Sequence, residues 1–199
     1  MTPHTQPKNT MGKERLTAFF DAVLAIIITI LVLELPKPAE PTWGAFTGLY
    51  REYFAFTLSF FWLGSLWIHQ HDMWHHIKHI DAAVVRLSML TLFFAAWFPY
   101  TTSWVNEEFY ATVPQALYGL VAILVTISTI ALNRSLVKAN PDNLEFEHLT
   151  NSRNGWLAAD LLIKAAGFAL SFIYPPAAML GILIAAAFIN VAPRVRRQR

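Results

Sequence analysis

Residues 15–36 read RLTAFFDAVLAIIITILVLELP, and this stretch decides the class of fold. It opens on Arg15, carries one acid at Asp21 and then runs apolar as far as Glu34. The hydrocarbon core of a bilayer, about 30 Å thick, needs roughly twenty apolar residues of helix to cross it. The stretch has that length, so it predicts a transmembrane helix.

The composition of the whole chain is that of a membrane protein. Of its 199 residues, 55% are hydrophobic and 14% are charged, which is too apolar for a soluble chain of this length. No cysteine is present, so disulfides and thiolate metal ligands are excluded. Turn-forming residues separate further apolar stretches. We predict an all-α integral membrane fold with six transmembrane helices at about 16–35, 48–70, 82–104, 113–133, 155–174 and 176–192.

The basic residues set the predicted orientation. Lys and Arg collect on the cytoplasmic side of membrane proteins, and a cytoplasmic N-terminus leaves only Lys37 and Arg51 outside, with Lys164 inside a helix. We therefore expect a multi-pass protein of the inner (plasma) membrane with both termini cytoplasmic. Its parts are a flexible N-terminus at 1–14, a six-helix transmembrane domain at 15–192 and a basic tail at 193–199. The net charge of +2 gives no indication of a nucleic-acid partner.

One face of the first helix carries a continuous apolar stripe. Because successive helical residues turn by about 100°, Phe19, Ile26, Ile30 and Leu33 align, with Thr29 beside the centre of the stripe. Periodicity alone also fits a stripe that faces lipid or the protein core.

Asp21 lies on a different face, together with Ala18, Ala25 and Val32. Small residues let helices approach closely, and a carboxylate in a membrane helix costs free energy unless it is paired or hydrated. We therefore expect Asp21 to have a partner and to serve helix packing.

The start of this helix resembles the signature of a known family. Arg15, three residues and then Phe19, Phe20 and Asp21 are similar to the Arg-xxx-Phe-Ser-Asp signature of the transmembrane-175 potassium channel family, in its prokaryotic branch. The chain carries Phe20 where the family usually has serine.

Weaker motifs extend the resemblance along the chain. Trp67 with His71 near the end of the second span, and the run 98–100 (Phe-Pro-Tyr) with Thr102 in the third, resemble family motifs. Each is unspecific alone, and together with six spans they strengthen the assignment.

The resemblance implies a homotetramer in which the first helix of each subunit lines a central pore, without a re-entrant filter loop. The chain shows no internal repeat, so pore symmetry requires several copies. The implied function is a passive, potassium-selective cation channel and no enzyme, with no cofactor beyond the permeating potassium, and with the bilayer and further copies of the chain as partners. The implied residues are Ile26, Thr29, Ile30 and Leu33 for pore constriction and selectivity, and Arg15, Phe19, Asp21, Trp67 and His71 for gating or structure.

The assignment of Thr29 leaves an alternative open, and Glu34 is a further candidate. Thr29 could offer a ring of hydroxyl groups to potassium, or its hydroxyl could bond back to its own helix. Glu34 could give a ring of carboxylates at the pore mouth that concentrates cations. Arg15 and Asp21 would fix the inner end of the first helix, against His71 or Trp67.

Five of the seven histidines lie between residues 69 and 79. On a continuous helix His71, His75 and His79 stack at four-residue spacing, which suits a transition metal or a proton sensor. A polar helix end at the membrane boundary explains the same residues, and the HExxH order of zinc hydrolases is absent.

Asp160 and Lys164 form the other charged pair inside an apolar stretch. Their four-residue spacing, acid first, favours an intrahelical ion pair. Charges at membrane depth also suggest a proton relay, so a proton- or cation-coupled secondary transporter is the alternative to a channel. The chain lacks the broken helix pairs and repeat symmetry that often mark transport sites.

Overall fold

Helices account for all the regular secondary structure in residues 12–197, the range described by the computed structural model, in which side chains are described as far as residue 188. A short 3-10 turn, Leu31–Glu34, extends the first helix. The helices are α1 (Lys13–Ile30), α2 (Trp43–Gly48), α3 (Tyr50–His76), α4 (Ala82–Ala95), α5 (Phe98–Glu107), α6 (Thr112–Ala139), α7 (Leu144–Leu170) and α8 (Ala177–Arg197).

Three helical stretches in the described range are long and apolar enough to cross a membrane. They are Lys13–Glu34, Ala82–Glu107 and Thr112–Ala139, and a shorter apolar helix covers Ala177–Phe188. The helices α3 and α7 are as long but carry polar residues at their ends. The prediction of an all-helical, multi-pass membrane fold is confirmed, and the count of six spans stays a prediction.

Proline determines where two of the membrane helices stop or break. Leu35 has an extended backbone (φ −76°, ψ 124°) because it precedes Pro36, and the 3-10 turn ends there. The predicted third span is divided into α4 and α5 around residues 96–97. Pro99 lies in the first turn of α5, where its missing N–H leaves no helical bond unmade.

The second span continues past residue 70 and ends at His76. The Asn143 amide donates to the His76 carbonyl at 2.9 Å, and Oδ1 of Asn140 accepts from the backbone N–H groups of Lys78 and His79 at 2.9 Å each. His79 therefore lies in a non-helical loop. The prediction that it continues a helical ladder with His71 and His75 is wrong, because a distant segment holds the chain out of the helix.

The observed ends of other spans differ from the predicted ones because hydropathy does not detect polar helical turns. The fifth span, predicted from residue 155, begins at Leu144 in α7, where the Asn143 side chain accepts from the Phe146 N–H at 3.1 Å. The short helix α2 was not predicted. The predicted N-terminal segment 1–14 lies mostly outside the described residues, and α8 continues into the predicted tail as far as Arg197.

A hydroxyl cluster joins three helices inside the bundle. The hydroxyl of Ser59 on α3 lies 2.9 Å from that of Thr102 on α5 and 2.8 Å from that of Tyr118 on α6. All three residues are fully buried. Trp62 stacks on Phe98 beside them, with ring centroids 4.7 Å apart. Hydrogen bonding satisfies the buried polar groups and fixes α5 against α3 and α6.

Candidate functional site

The first helix packs into the subunit by one face and leaves the other uncovered. The buried face consists of Leu16, Phe20, Leu24, Ile27 and Leu31, each 5% exposed or less. The uncovered face includes Ile26 and Leu33, which are 57% and 77% exposed, with Phe19, Thr29 and Ile30 also exposed. The residues predicted to constrict a pore thus share a face that the described part of the subunit leaves exposed.

Thr29 bonds back to its own helix. Its hydroxyl donates to the Ile26 carbonyl at 2.9 Å. This bond uses the hydroxyl hydrogen and leaves the oxygen lone pairs on the uncovered face. Back-bonding and a ring of oxygen atoms facing an ion are therefore compatible in this geometry.

Asp21 has the partners that its place in an apolar helix demands. The indole Nε1 of Trp67 donates to Oδ1 of Asp21 at 3.0 Å, and Nδ1 of His71 lies 3.8 Å from Oδ2. Trp67 and His71 stack on each other with ring centroids 5.2 Å apart. The structure thus brings together three of the five predicted gating or structural residues, while Arg15 and Phe19 remain exposed on α1.

The small residues near Asp21 do not pack within the subunit. Ala18, Ala25 and Val32 are all exposed. Within the subunit α1 buries instead the face with large aliphatic residues and Phe20, so close contact of the small-residue face with another helix stays a prediction. The Asp21 carboxylate bonds to α3 because the Trp67 side chain is long enough to reach it. The small residues beside Asp21 can therefore stay exposed.

A second attachment of α1 lies below Asp21 and was not predicted. Nζ of Lys13 donates to the carbonyl of Ile77 at 2.6 Å, in the loop after α3. Phe20 meets Trp74 edge to face at a centroid distance of 6.1 Å, and both rings are buried. The sequence places Lys13 in the predicted N-terminal segment and gives no indication of its partner, because the Ile77 carbonyl is 64 residues away along the chain.

The other end of α1 is held by Asn106. Its amide Nδ2 donates to the backbone carbonyl of Glu34 at 3.1 Å, so α5 supports the 3-10 turn. Glu34 itself is half-buried. Asn106 is buried at the end of an apolar run, where an amide needs a local partner; that is the signal that could have singled it out.

The histidines His71 and His75 approach each other, with Nε2 atoms 3.0 Å apart. His79 is not with them, since it lies in the loop after α3. Within the described part of the chain, no group of three or more His, Cys, Asp and Glu side chains is placed to hold a metal ion. The histidine pair is joined to Asp21 through His71.

Asp160 and Lys164 form the predicted ion pair, deep inside the bundle. Lys164 Nζ lies 2.5 Å from Oδ2 of Asp160 and donates to the Thr126 hydroxyl at 2.9 Å. Both charged residues are almost completely buried. Nζ also lies 4.7 Å from the centroid of the Trp62 ring. The pair is thus neutralised internally and has one hydrogen-bond partner on α6, Thr126.

The sequence of this chain is similar to those of known ion channels. Residues 15–99, which include most of α1 and Trp67, match the family model described as "Endosomal/lysosomal potassium channel TMEM175". A potassium channel of Chryseobacterium sp. (strain P1-3) is 29% identical over 189 residues, covering 95% of this chain and 97% of that protein. The endosomal/lysosomal proton channel TMEM175 of Homo sapiens is 29% identical over 101 residues, 45% of this chain but 20% of that protein.

The fold matches a solved structure as well. The crystal structure of a lysosomal potassium-selective channel TMEM175 homolog from Chamaesiphon minutus superposes with a TM-score of 0.77 at 24% sequence identity. The match covers 90% of this chain and 97% of that one. The similarity shows that the two chains share a fold.

Proposed function

Because the chain belongs to the TMEM175 family, whose members are ion channels and not enzymes, we propose that it is a potassium-selective channel that conducts passively through a central pore built from four copies of the chain. The observation that carries this proposal is the uncovered stripe of Ile26, Thr29, Ile30 and Leu33 on a helix whose opposite face is fully buried. Lipid or further copies of the chain can cover a face of this kind, and in this proposal a symmetric arrangement of copies covers it.

Branched apolar side chains meeting at one level give a physical means of closing the pore. A narrow apolar ring dewets, and an ion crossing it would lose hydration that no carbonyl replaces. Opening requires the ring to widen. The Thr29 oxygen, whose lone pairs remain free, would offer partial coordination to an ion between the Ile26 and Ile30 levels.

The contacts along α1 suggest how the ring is held. Lys13 and Asp21 attach the beginning of α1 to α3 and its following loop, and Asn106 attaches its end to α5. In this proposal Asp21, Trp67 and His71 set the position of the inner end of the helix. Movement of α3 would therefore change the radius of the ring, and Arg15 and Phe19 extend the same uncovered surface.

The remaining parts of the proposal concern assembly and topology. The exposed small residues Ala18, Ala25 and Val32 would form part of the contact between neighbouring copies, since small side chains allow close helix approach. Six spans, with both termini on the cytoplasmic side of the inner (plasma) membrane, follow if α3, α7 and α8 cross the bilayer beside the three most apolar stretches. Glu34 then lies near the outer mouth.

The test is potassium flux into proteoliposomes with Ile26→Asn. A polar ring at this level should hold water, raise the flux and reduce the preference for potassium over sodium. Ile184→Asn is the matched control, because Ile184 on α8 is the same residue with the same 57% exposure. Equal effects of the two variants, or no effect of Ile26→Asn, would contradict the pore-lining role.

The alternative, a proton- or cation-coupled transporter, rests on the buried Asp160–Lys164 pair. The same vesicles separate the two functions. Passive potassium flux down its gradient, with no counter-transported solute, identifies a channel. Slow, saturating flux that requires exchange identifies a transporter.

A further inference from the structure

A cavity of about 450 Å³ lies at the end of the bundle where α1 stops. It is formed by the start of α3, the end of α5 and the segment that follows α5. Its walls include Glu52, Glu107 and Glu108 and only one base, Arg51. Three carboxylates against one guanidinium leave a formal balance of −2 on the lining residues, which favours a cation.

Arg51 does not neutralise these carboxylates. Its Nε donates to the Tyr50 hydroxyl at 2.9 Å, and its guanidinium carbon lies 4.8 Å from the centroid of the Tyr110 ring. Within residues 12–197 no ion pair joins Arg51 to an acid. The base is held against aromatic rings, so the negative field of the cavity remains.

Two oxygen atoms of the lining residues are buried and have no hydrogen-bond donor. They are Oε2 of Glu52 and Oδ1 of Asn106. Asn106 is only 9% exposed, and its amide nitrogen is committed to the Glu34 carbonyl, which fixes the identity of the free oxygen. A buried acceptor without a partner is costly. Both residues therefore lack a donor or a cation that this cavity could supply.

The chemistry of this oxygen set selects the class of cation. Carboxylate and amide oxygens are ligands for hard divalent cations. In the described chain no three acidic or histidine side chains lie close enough to hold a metal on their own. Mg²⁺ suits such a site because it retains several waters and takes only one or two carboxylates from the protein.

We propose that this cavity binds a hydrated divalent cation of the Mg²⁺ class, through the Glu52 carboxylate and the Asn106 amide oxygen, with Glu107 and Glu108 contributing the surrounding negative field. The ion is one hydrogen bond away from the end of α1, through the Asn106 amide and the Glu34 carbonyl. The site is separate from the stripe on α1, and its binding of the ion does not depend on potassium conduction.

Binding is measured on the full-length protein in detergent, with Mn²⁺ as the probe. Free Mn²⁺ gives an EPR signal that falls on binding, and added Mg²⁺ should restore it. Glu52→Gln keeps the shape of the side chain and removes the charged ligand, so it should weaken binding by about tenfold. Asn106→Asp adds a charge at the free oxygen and should tighten it.

Glu40→Gln is the matched control, since Glu40 is an exposed acid in the loop before α2 and does not line the cavity. Unchanged Mn²⁺ binding in both Glu52→Gln and Asn106→Asp, or an equal loss in Glu40→Gln, would overturn the proposal. Mn²⁺ binding with these variant effects but without potassium flux would support the site and contradict the proposed function. Potassium flux without Mn²⁺ binding would contradict the cation site and support the proposed function.

Discussion

The indole of Trp67 donates a 3.0 Å hydrogen bond to the carboxylate of Asp21, and this bond joins α1 to α3 at the level where α1 has just entered the apolar region. The acid is the only charged residue of α1 between Arg15 and the end of the helix. Apart from the Lys13 bond to the Ile77 carbonyl at its start, α1 packs through apolar side chains, so the Trp67–Asp21 bond gives the helix a defined rotation. The bond between Trp67 and Asp21 therefore also determines the direction in which the uncovered stripe faces.

Removal of the indole donor should loosen α1 without changing the core. We expect Trp67→Phe to lower the free energy of unfolding by about 1 kcal/mol, the value of one hydrogen bond to a partly exposed acid. It should also change the potassium flux, since the stripe would no longer be held in one direction. The measurement is unfolding in mixed micelles together with vesicle flux.

Trp43→Phe provides the comparison, because Trp43 is 83% exposed in α2 and far less constrained. Asp21→Asn is a second test, since an amide oxygen can still accept from the indole. It should lose less stability than Trp67→Phe. The reverse order of the two effects would exclude the hydrogen bond as the main contribution of Asp21.

The close approach of α7 and α8 depends on glycine. A Cβ on Gly167 would lie 2.8 Å from the Ala177 carbonyl oxygen and 3.0 Å from Cα of Gly181. Both neighbours are backbone atoms that cannot move away alone. We therefore expect Gly167→Ala to separate the two helices and lower the free energy of unfolding by about 1–3 kcal/mol.

Gly64 on α3 should respond in the opposite direction. A Cβ there meets nothing within 4 Å, and alanine is favoured over glycine inside a helix by about 1 kcal/mol. Gly64→Ala should thus be neutral or stabilising in the same unfolding measurement. Equal losses at the two positions would show that helix approach is not what requires glycine at Gly167.

The sequence predicts those parts of this structure that follow from the free-energy cost of a residue in its local surroundings. It misses the parts that depend on partners far away along the chain. An acid in an apolar helix must be paired, so a partner for Asp21 could be expected, and both residues suggested for it are in contact with it. The loop position of His79 could not be expected, since it is set by Asn140 far along the chain. The same holds for Lys13 and the Ile77 carbonyl.

The Asn140 side chain fastens the loop between α3 and α4 to the end of α6. It accepts from the N–H groups of Lys78 and His79 and donates to the carbonyls of His79 and Leu136, with all four distances 2.9 Å. We expect Asn140→Ala to lower the free energy of unfolding by about 2–4 kcal/mol, because several partners lose their bonds at once.

Hydrogen exchange should locate that loss. In Asn140→Ala the backbone amides of Lys78 and His79 should exchange faster, while amides in the centre of α6 keep their protection. Asn151→Ala on the exposed surface of α7 is the matched control and should leave both unchanged. Slow exchange at Lys78 and His79 in the variant would mean that the loop is held by something else.

The buried Asp160–Lys164 pair allows us to predict both the sign and the size of changes in the free energy of unfolding. Asp160→Asn should leave the Lys164 ammonium buried without its counter-charge and lower the free energy of unfolding by about 3–5 kcal/mol. The double variant Asp160→Leu with Lys164→Met removes both charges, and it should be much closer to the unaltered protein than either single change. Unfolding of the unaltered protein, the single variants Asp160→Leu and Lys164→Met and the double variant in mixed micelles gives the coupling between the two residues. Additive losses would mean that each charge is satisfied independently, contrary to the 2.5 Å contact between Nζ and Oδ2.

A double variant that keeps potassium flux would show that the pair serves the fold of each subunit, and one that abolishes flux while remaining stable would favour the transporter alternative.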